Sequence, residues 1–242
     1  MVRPGASTTS DVVRTRWEAL IFDVELTNQG QDKIMNRSPL VSIIIPTHSR
    51  AKILTERALP SIFEQTYQNF EIIVVMDDCT DNTHELLKEI NDPRLKIIDF
   101  KKGYEYPEDP LTKWHVAGSP PRNEGLLAVT GDMIAPLDDD DMFLPNHLDV
   151  AVKTHLATGC DVSYAIAETV RKSDNSRIGS LGAPPGQKMR VPHGSLVYNS
   201  KHRTFKYSEK GKLPADFILW NSMFKAGLKF EFINLITTRH WL

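Results

Sequence analysis

Four consecutive aspartates, residues 138–141, lie between two apolar stretches of this 242-residue chain. Neighbouring carboxylates repel each other by about 1 kcal/mol at roughly 4 Å in water, and by more where water is excluded. Mg²⁺ and Mn²⁺ take oxygen ligands, usually one or two carboxylates together with phosphates and water, so this aspartate run is a candidate site for such an ion. A solvated acidic loop is the alternative. An EF-hand loop is excluded, because no glycine stands at the sixth position.

The segments around the aspartate run must position it, and their patterns predict an α/β fold. Continuous runs of apolar, β-branched residues are typical of strands that are buried on both faces of a sheet. Such runs predict strands at 40–46, 70–76, 94–100 and 132–137, with helices between them at 53–67, 81–90 and 122–129. Strand–helix alternation with short connections indicates a parallel sheet with right-handed crossovers. The remaining predicted elements are helices at 146–157 and 214–227, strands at 161–170 and 230–242, and loops at 101–121 and 180–187.

Polar side chains follow three of these predicted strands, at the point where each strand ends. Thr47, His48 and Arg50 follow the first strand, Asp77 and Asp78 follow the second, and the aspartate run follows the fourth. In open α/β sheets ligands bind beyond the C-terminal ends of the strands. We therefore expect all three groups to lie on one edge of the sheet and to face one crevice.

Composition narrows the class of protein. Apolar residues make up 40% of the chain, charged residues 25%, and the formal net charge is −2, which gives no support for a partner that is a nucleic acid. Cys79 and Cys160 are far apart and fit neither a disulfide framework nor a zinc site, so we expect reduced thiols in a cytoplasmic protein. No apolar run approaches the roughly 18 residues of a transmembrane helix. Residues 1–39 are predicted to be a polar N-terminal extension, and residues 40–242 a single domain.

Five motifs of this chain, taken in order, resemble those of family 2 glycosyltransferases of the GT-A fold. They are VSIIIPTHSR, FEIIVVMDDCTDNT, PPRNEG, GDMIAPLDDDDMFLP and ADFILWNSMFKAG, and the resemblance covers about residues 41–240. It implies an α/β fold with a mainly parallel central sheet flanked by helices. It also implies metal-dependent, inverting transfer of a sugar from a nucleoside-diphosphate sugar, with UDP as the default nucleotide, to a carbohydrate or lipid-linked acceptor. Peripheral contact with a membrane is compatible with such an acceptor.

The resemblance implies where the nucleoside of the donor binds. Pro46, Thr47 and Arg50 match the family residues that border the nucleobase. Asp78 matches the acid that bonds the edge of the base, which makes chemical sense because uracil and guanine offer N–H donors to a carboxylate.

The resemblance also implies which residues lie near the ribose and the diphosphate. Arg122 and Asn123 match the family's Arg-Asn pair near these groups, although Arg122 as a surface residue of a helix is the alternative. Asp138 and Asp139 are expected to face the nucleotide.

Metal binding and catalysis are assigned to later positions by the same resemblance. Asp140, together with Asp138, is expected to hold Mn²⁺ or Mg²⁺, and His240 matches an element that reaches the metal or diphosphate in some members. The family's catalytic base belongs to an acidic pair at the start of a late helix. Here that pair is Ala215–Asp216, so Asp216 is the candidate base, and its alternative is a structural acid favoured by the helix dipole.

We expect the domain to consist of a nucleotide-binding half, 40–142, and an acceptor half, 143–242. His193 is a candidate for the wall of the acceptor pocket. The loop that carries Trp114 and His115 is a candidate for a lid or for another part of that wall. Asp141 is expected to cap the helix that follows it.

Three other classes of protein share part of this pattern. A phosphoacceptor receiver domain also has an acidic pair after a strand, but here a full strand and helix precede that pair. A nucleotidyltransferase would carry a glycine-rich loop after the first strand, and PTHSRAKI contains no glycine. A non-catalytic sugar-nucleotide-binding protein stays open, because Ala215 replaces an acid.

Overall fold

The computed structural model describes residues 38–100, 104–185 and 189–242. Pro39–Leu242 forms one compact unit. The predicted N-terminal extension lies almost wholly outside the described residues. The strands are β1 Val41–Thr47, β2 Phe70–Asp77, β3 Leu95–Phe100, β4 Met133–Pro136, β5 Met142–Phe143, β6 Val162–Val170, β7 Arg177–Leu181, β8 Val197–Asn199 and β9 Phe230–Trp241.

Six helices accompany these strands in the described part of the chain, besides two short 3₁₀ turns, His193–Ser195 and Ser200–His202. Helix α1 runs without interruption through Ala51–Ile53, Leu54–Ala58 and Leu59–Phe63. The others are α2 Thr83–Glu89, α3 Pro110–Val116, α4 Ser119–Leu127, α5 His147–Thr158 and α6 Ala215–Lys225. None of the helices in the described ranges has the length and apolar character that crossing a bilayer requires.

The first four strands form the parallel sheet that the sequence predicts. Strand β1 pairs in parallel with β2 and with β4, and β2 pairs in parallel with β3. The described strands form one sheet in the order β3-β2-β1-β4-β8-β6-β9-β5, with β7 on β6. In its second half β8 runs antiparallel to β4 and β6, while β6 and β9 are parallel. The C-terminal ends of β1, β2 and β4 lie at one edge of this sheet, called here the carboxyl edge.

Both faces of the central strands are buried, as their continuous apolar sequences predict. Alternate side chains of β1 point to opposite faces. Ile43 and Ile45 pack into one apolar cluster, whereas Ile44 joins Ile73 and Val75 in a second cluster on the other side. All seven residues of β1 are buried, and the sheet therefore forms the rigid base from which the loops of the carboxyl edge project.

Helix α1 contains a π-helical stretch, Leu54–Ala58, directly before Pro60. The sequence predicts a kink or break at this proline, because its nitrogen carries no hydrogen for the helical ladder. The helix instead continues to Phe63, and the wider turn accommodates the missing bond. Such π turns are frequent at functional sites, and this one carries Arg57 toward the carboxyl edge.

The predicted loop at 101–121 was wrong in its second half, which holds helix α3 and the start of α4. Asp109 caps α3, because its carboxylate accepts a hydrogen bond from the Thr112 amide at 2.8 Å, and Pro110 occupies the first helical position. An acid followed by proline is a helix-start signal, so the sequence contained this information. Strands β5, β7 and β8 were also not predicted, because these short segments do not stand out as continuous apolar, β-branched runs.

A buried carboxylate lies at the opposite, N-terminal end of the parallel strands. The side chain of Glu71 accepts hydrogen bonds from Ser42 Oγ at 2.5 Å and from the amides of Thr130 and Gly131 at 2.8 and 3.2 Å, and it pairs with Lys96 at 2.5 Å. Burial alone would raise the pKa of Glu71, but these bonds, with Lys96 foremost, lower it from 4.5 to about 2. The charged form of Glu71 therefore stabilises the fold.

We expect Glu71→Gln to lower the free energy of unfolding by roughly 3 kcal/mol at pH 7, the equivalent of the pKa shift of Glu71. Because its folded pKa lies below 4.5, this contribution is present above about pH 5 and is lost as the pH falls toward 2. The wild type and the variant should therefore converge in urea unfolding experiments between pH 5 and pH 2. Glu89→Gln, at an exposed position of α2, is the control, and a constant difference between wild type and Glu71→Gln at every pH would contradict the assignment.

Candidate functional site

Three polar groups meet at the carboxyl edge, as the sequence predicts. Thr47 Oγ1 donates a hydrogen bond to Asp139 Oδ2 at 2.8 Å, and Arg50 Nη1 lies 3.0 Å from Asp139 Oδ1. His48 Nδ1 lies 2.5 Å from the carbonyl oxygen of Asp77. Residues that follow β1 therefore contact both the end of β2 and the aspartate run. The predicted convergence is confirmed.

Asp140 lies in the most cationic part of this edge. Its Oδ2 is 3.1 Å from Arg50 Nη1 and 3.4 Å from Lys172 Nζ, which comes from the turn between β6 and β7. Its carbonyl oxygen accepts a hydrogen bond from Arg57 Nη1 at 2.7 Å, and the Arg57 guanidinium stacks over the Trp241 ring at 3.8 Å. Sequence reasoning missed Arg57, Lys172 and Trp241, because no local pattern relates them to residue 140.

Asp138 forms a half-buried ion pair with Arg122 of α4. Arg122 Nη1 also donates to the carbonyl oxygen of Ala117 at 3.0 Å. Gly118, at φ +72°, leaves room for this guanidinium, since a Cβ there would lie 2.6 Å from Arg122 Nη1. Burial alone would raise the pKa of Asp138, but the Arg122 charge holds it well below its usual range. Arg122 is therefore part of the site and is not a surface residue.

Asp141 pairs with the C-terminal strand, and its predicted role as a helix cap is wrong. Asp141 Oδ2 lies 2.6 Å from His240 Nδ1, and Asp141 Oδ1 accepts a hydrogen bond from the Trp241 amide at 3.1 Å. The next helix, α5, begins at His147, too far along the chain for Asp141 to cap it. Burial opposes the charged imidazole, but the Asp141 carboxylate outweighs it and raises the pKa of His240.

The side chains at this edge fit a hard divalent cation. Carboxylates and imidazole are suitable ligands for Mn²⁺. Metal-bound histidines commonly have one ring nitrogen fixed by a carboxylate, which is what Asp141 does to Nδ1 of His240. The other nitrogen, Nε2, is buried and has no hydrogen-bond partner among the described residues. Within those same residues no three His, Cys, Asp or Glu side chains are already grouped as ligands.

Asp216 is the second residue of α6, and its Oδ1 accepts a hydrogen bond from the Phe217 amide at 2.8 Å. It lies near Arg122 and His193, on whose pKa values its charge acts. Ala215 is only 5% exposed and belongs to an apolar cluster. An acid at position 215 would thus be buried in the core, which leaves Asp216 as the residue of the pair that faces the site.

The predicted nucleobase residues lie around the ends of β1 and β2. Pro46 is buried within β1, whereas Asp78 is exposed and has a left-handed backbone with φ +49°. Ser49 has the same unusual φ. Non-glycine residues in this conformation cluster at ligand-binding sites, where strain is retained for function. Tyr106, which sequence reasoning missed, donates a hydrogen bond to Asp77 at 2.6 Å and closes one side of this region.

Asn123 holds a neighbouring loop in place. Its amide nitrogen donates to the Tyr207 carbonyl at 2.9 Å and to Glu209 at 2.8 Å, and its amide oxygen accepts from the Tyr207 N–H at 2.9 Å. The structure thus brings Asn123 next to Arg122 with its polar atoms bound to the chain. Its contact with a nucleotide stays a prediction.

Comparison with known proteins identifies a family. The family model described as "Glycosyl transferase family 2" matches residues 42–107 and 114–224. The UDP-Glc:alpha-D-GlcNAc-diphosphoundecaprenol beta-1,3-glucosyltransferase WfgD of Escherichia coli is 32% identical over 162 residues, which are 66% of this chain and 56% of that protein. The hyaluronan synthase of Pasteurella multocida is 26% identical over 85% of this chain and 21% of its own length. The chain spans about half the length of the first curated relatives that it matches.

Solved structures share the fold. S. aureus TarS in complex with UDP superposes with a TM-score of 0.66 at 19% identity, over 84% of this chain and 60% of that one. The mannosyltransferase PcManGT from Pyrobaculum calidifontis, in complex with GDP-Man and Mn²⁺, gives a TM-score of 0.60 at 14% identity, over 96% of this chain and 67% of that one. The predicted GT-A fold is confirmed.

Proposed function

This chain belongs to glycosyltransferase family 2, and on that premise we propose that it transfers a sugar from a nucleoside-diphosphate sugar to an acceptor hydroxyl, with inversion at the anomeric carbon. One observation carries the proposal: the aspartate run meets the cations Arg50, Arg122 and Lys172 at a single carboxyl edge. Guanidinium and ammonium groups complement a diphosphate, and carboxylates complement ribose hydroxyls and a metal ion.

The nucleotide is proposed to lie over the ends of β1 and β2, with UDP as the default. The support comes from TarS, which was solved with UDP and with UDP-GlcNAc, whereas PcManGT was solved with GDP-Man. Asp78 is exposed at this place and would accept the N–H of a uracil or guanine ring. Pro46 and Thr47 would border the base, Arg122 the diphosphate, and Asp139 the ribose.

Asp138, Asp140 and His240 would hold Mn²⁺ or Mg²⁺, which when bound supplies positive charge beside the leaving diphosphate. The chain itself adds Lys172 and Arg50. The resemblance implies that Arg50 borders the nucleobase, but its charge and that of Lys172 reach the same oxygen of Asp140, so we propose that Arg50 acts on the diphosphate. Both cations would stabilise the nucleoside diphosphate as negative charge grows on its terminal oxygen.

Asp216 is the proposed general base. The acceptor oxygen forms a bond to the anomeric carbon while the bond from that carbon to the phosphate oxygen breaks, and the leaving nucleoside diphosphate keeps the electron pair. Asp216 takes the proton of the acceptor hydroxyl. The acceptor is proposed to be carbohydrate or lipid-linked, because the relative WfgD is named for transfer to a diphosphoundecaprenol-linked sugar. A cytoplasmic location and peripheral contact with a membrane accord with such an acceptor.

A donor screen tests the function. The protein is incubated with UDP-, GDP- and dTDP-sugars, with and without Mn²⁺, and release of the nucleoside diphosphate is measured with water or an added glycoside as the acceptor of the sugar. We expect release from one class of donor, strongest with metal, and a melting temperature that rises when UDP and Mn²⁺ are added together, because ligands that bind the native state stabilise it. A raised melting temperature without release from any donor would favour a non-catalytic sugar-nucleotide-binding protein.

A further inference from the structure

His193 opens the 3₁₀ turn His193–Ser195, which lies directly before β8. The turn is fixed by Ser195, whose hydroxyl bonds to the carbonyl oxygens of Ala165 at 3.0 Å and Pro192 at 2.9 Å. The turn also lies against the C-terminal strand, since a Cβ on Gly194 would be 3.6 Å from Nε2 of His240. His193 therefore occupies a rigid position on the inner side of the proposed active site.

Both ring nitrogens of His193 lack hydrogen-bond partners within the described ranges, although the residue is only 8% exposed. Among the described residues the carboxylate oxygen near the ring is Oδ1 of Asp138, which lies 3.8 Å from Nε2 and so beyond hydrogen-bond distance. A buried polar group without a partner destabilises the fold, and in native proteins most such groups are satisfied. Both ring nitrogens of His193 are therefore available to form hydrogen bonds with a ligand.

The surroundings of His193 show which ligand could fill it. The charges of Asp138, Arg122 and Asp216 all act on the imidazole, and the Tyr207 ring packs edge-on at 5.5 Å. Asp138 belongs to the side of the diphosphate, and Asp216 is the proposed base. In an inverting transfer the sugar must lie between the leaving diphosphate and the base, so a side chain that lies near both groups also lies near the transferred sugar.

We propose that His193 determines donor specificity by forming a hydrogen bond with a hydroxyl group of the transferred sugar. The inference rests on the proposed function and adds to it the residue that recognises the transferred sugar. A neutral imidazole carries one donor and one acceptor, and a sugar hydroxyl can serve either one.

The test compares the wild type with His193→Phe and His193→Gln. Phenylalanine keeps the ring that packs on Tyr207, and glutamine restores one donor and one acceptor. Each protein is assayed for kcat/KM with the donor found in the screen and with its 2-, 3-, 4- and 6-deoxy analogues, and for its Kd for UDP. His193→Phe should lower kcat/KM for the parent donor roughly 10- to 100-fold, yet leave it unchanged for one deoxy analogue. His193→Gln should recover part of the loss, and the Kd for UDP should change less than about 2-fold.

The outcomes separate the role of His193 from the function itself. Equal losses for the parent donor and every deoxy analogue, a weakened affinity for UDP, or wild-type kinetics in His193→Phe would each overturn the role of His193 and leave sugar transfer in place. If the wild type releases a nucleoside diphosphate from no sugar donor, the proposed function has failed, and the role of His193 fails with it.

Discussion

Replacing Asp216 by asparagine should lower kcat for sugar transfer by roughly 10²- to 10⁴-fold, the range that general base catalysis contributes. Asparagine preserves the size of the side chain and an oxygen that can accept the hydrogen bond from the Phe217 amide. It has no carboxylate to take the proton of the acceptor hydroxyl. Nucleotide binding is proposed for other residues, so the Kd for UDP with Mn²⁺ should stay within about 2-fold of the wild type.

Asp149→Asn is a matched control for this substitution. Asp149 also lies in the first turn of a helix, α5, where its carboxylate pairs with Lys153 at 2.8 Å. Both substitutions remove one negative charge near the positive end of a helix dipole. If the role of Asp216 were this structural effect, Asp216→Asn and Asp149→Asn would show the same small change in transfer rate. Wild-type transfer rates in Asp216→Asn would remove this residue from the mechanism.

Replacing Asp140 by alanine should abolish the metal-dependent part of the turnover, a loss of roughly 10²-fold or more, because a bound cation contributes several kcal/mol to stabilisation of the leaving group. The rise in melting temperature caused by Mn²⁺ together with UDP should also disappear. The substitution frees Arg50 and Lys172 from Asp140. Binding of UDP without metal should therefore be retained or become tighter, and isothermal titration with and without Mn²⁺ separates the two effects.

Asp174→Asn is the control for a general change of charge near this edge. Asp174 lies in the same turn as Lys172, is exposed, and pairs with Arg171 at 3.5 Å. The Asp174→Asn variant should keep full transfer activity and the full response to metal. The assignment of Asp140 is wrong if Asp140→Ala keeps metal-dependent turnover at the wild-type rate.

Strand and helix assignments followed from sequence wherever a segment was long enough to show a period. The strands β1, β2, β6 and β9 and the helix α5 lie within about one residue of their predicted positions. The shortest elements, such as β5 with two residues, could not be predicted, because their strand conformation depends on pairing with distant segments. Helix α3 is a different case, since its cap was readable in the sequence.

The convergence of the polar residues was also determined by the sequence alone. Parallel strands joined by short crossovers must end at the same edge, so the side chains after β1 and β2 and the aspartate run had to meet there. The tertiary structure alone decided which partner each aspartate takes. Asp138 pairs with Arg122, Asp139 with Thr47 and Arg50, and Asp141 with His240.

The physical reason is that consecutive residues in a turn point in different directions and meet partners from different parts of the chain. The partner of Asp138 is 16 residues away, whereas the Trp241 amide that bonds to Asp141 is 100 residues away. No local pattern encodes such a distance. The sequence thus predicted a metal- and nucleotide-binding edge as a class of site. Only the packing of β9 and α6 against that edge brought His240 and Asp216 to it and gave each of the four carboxylates its own surroundings.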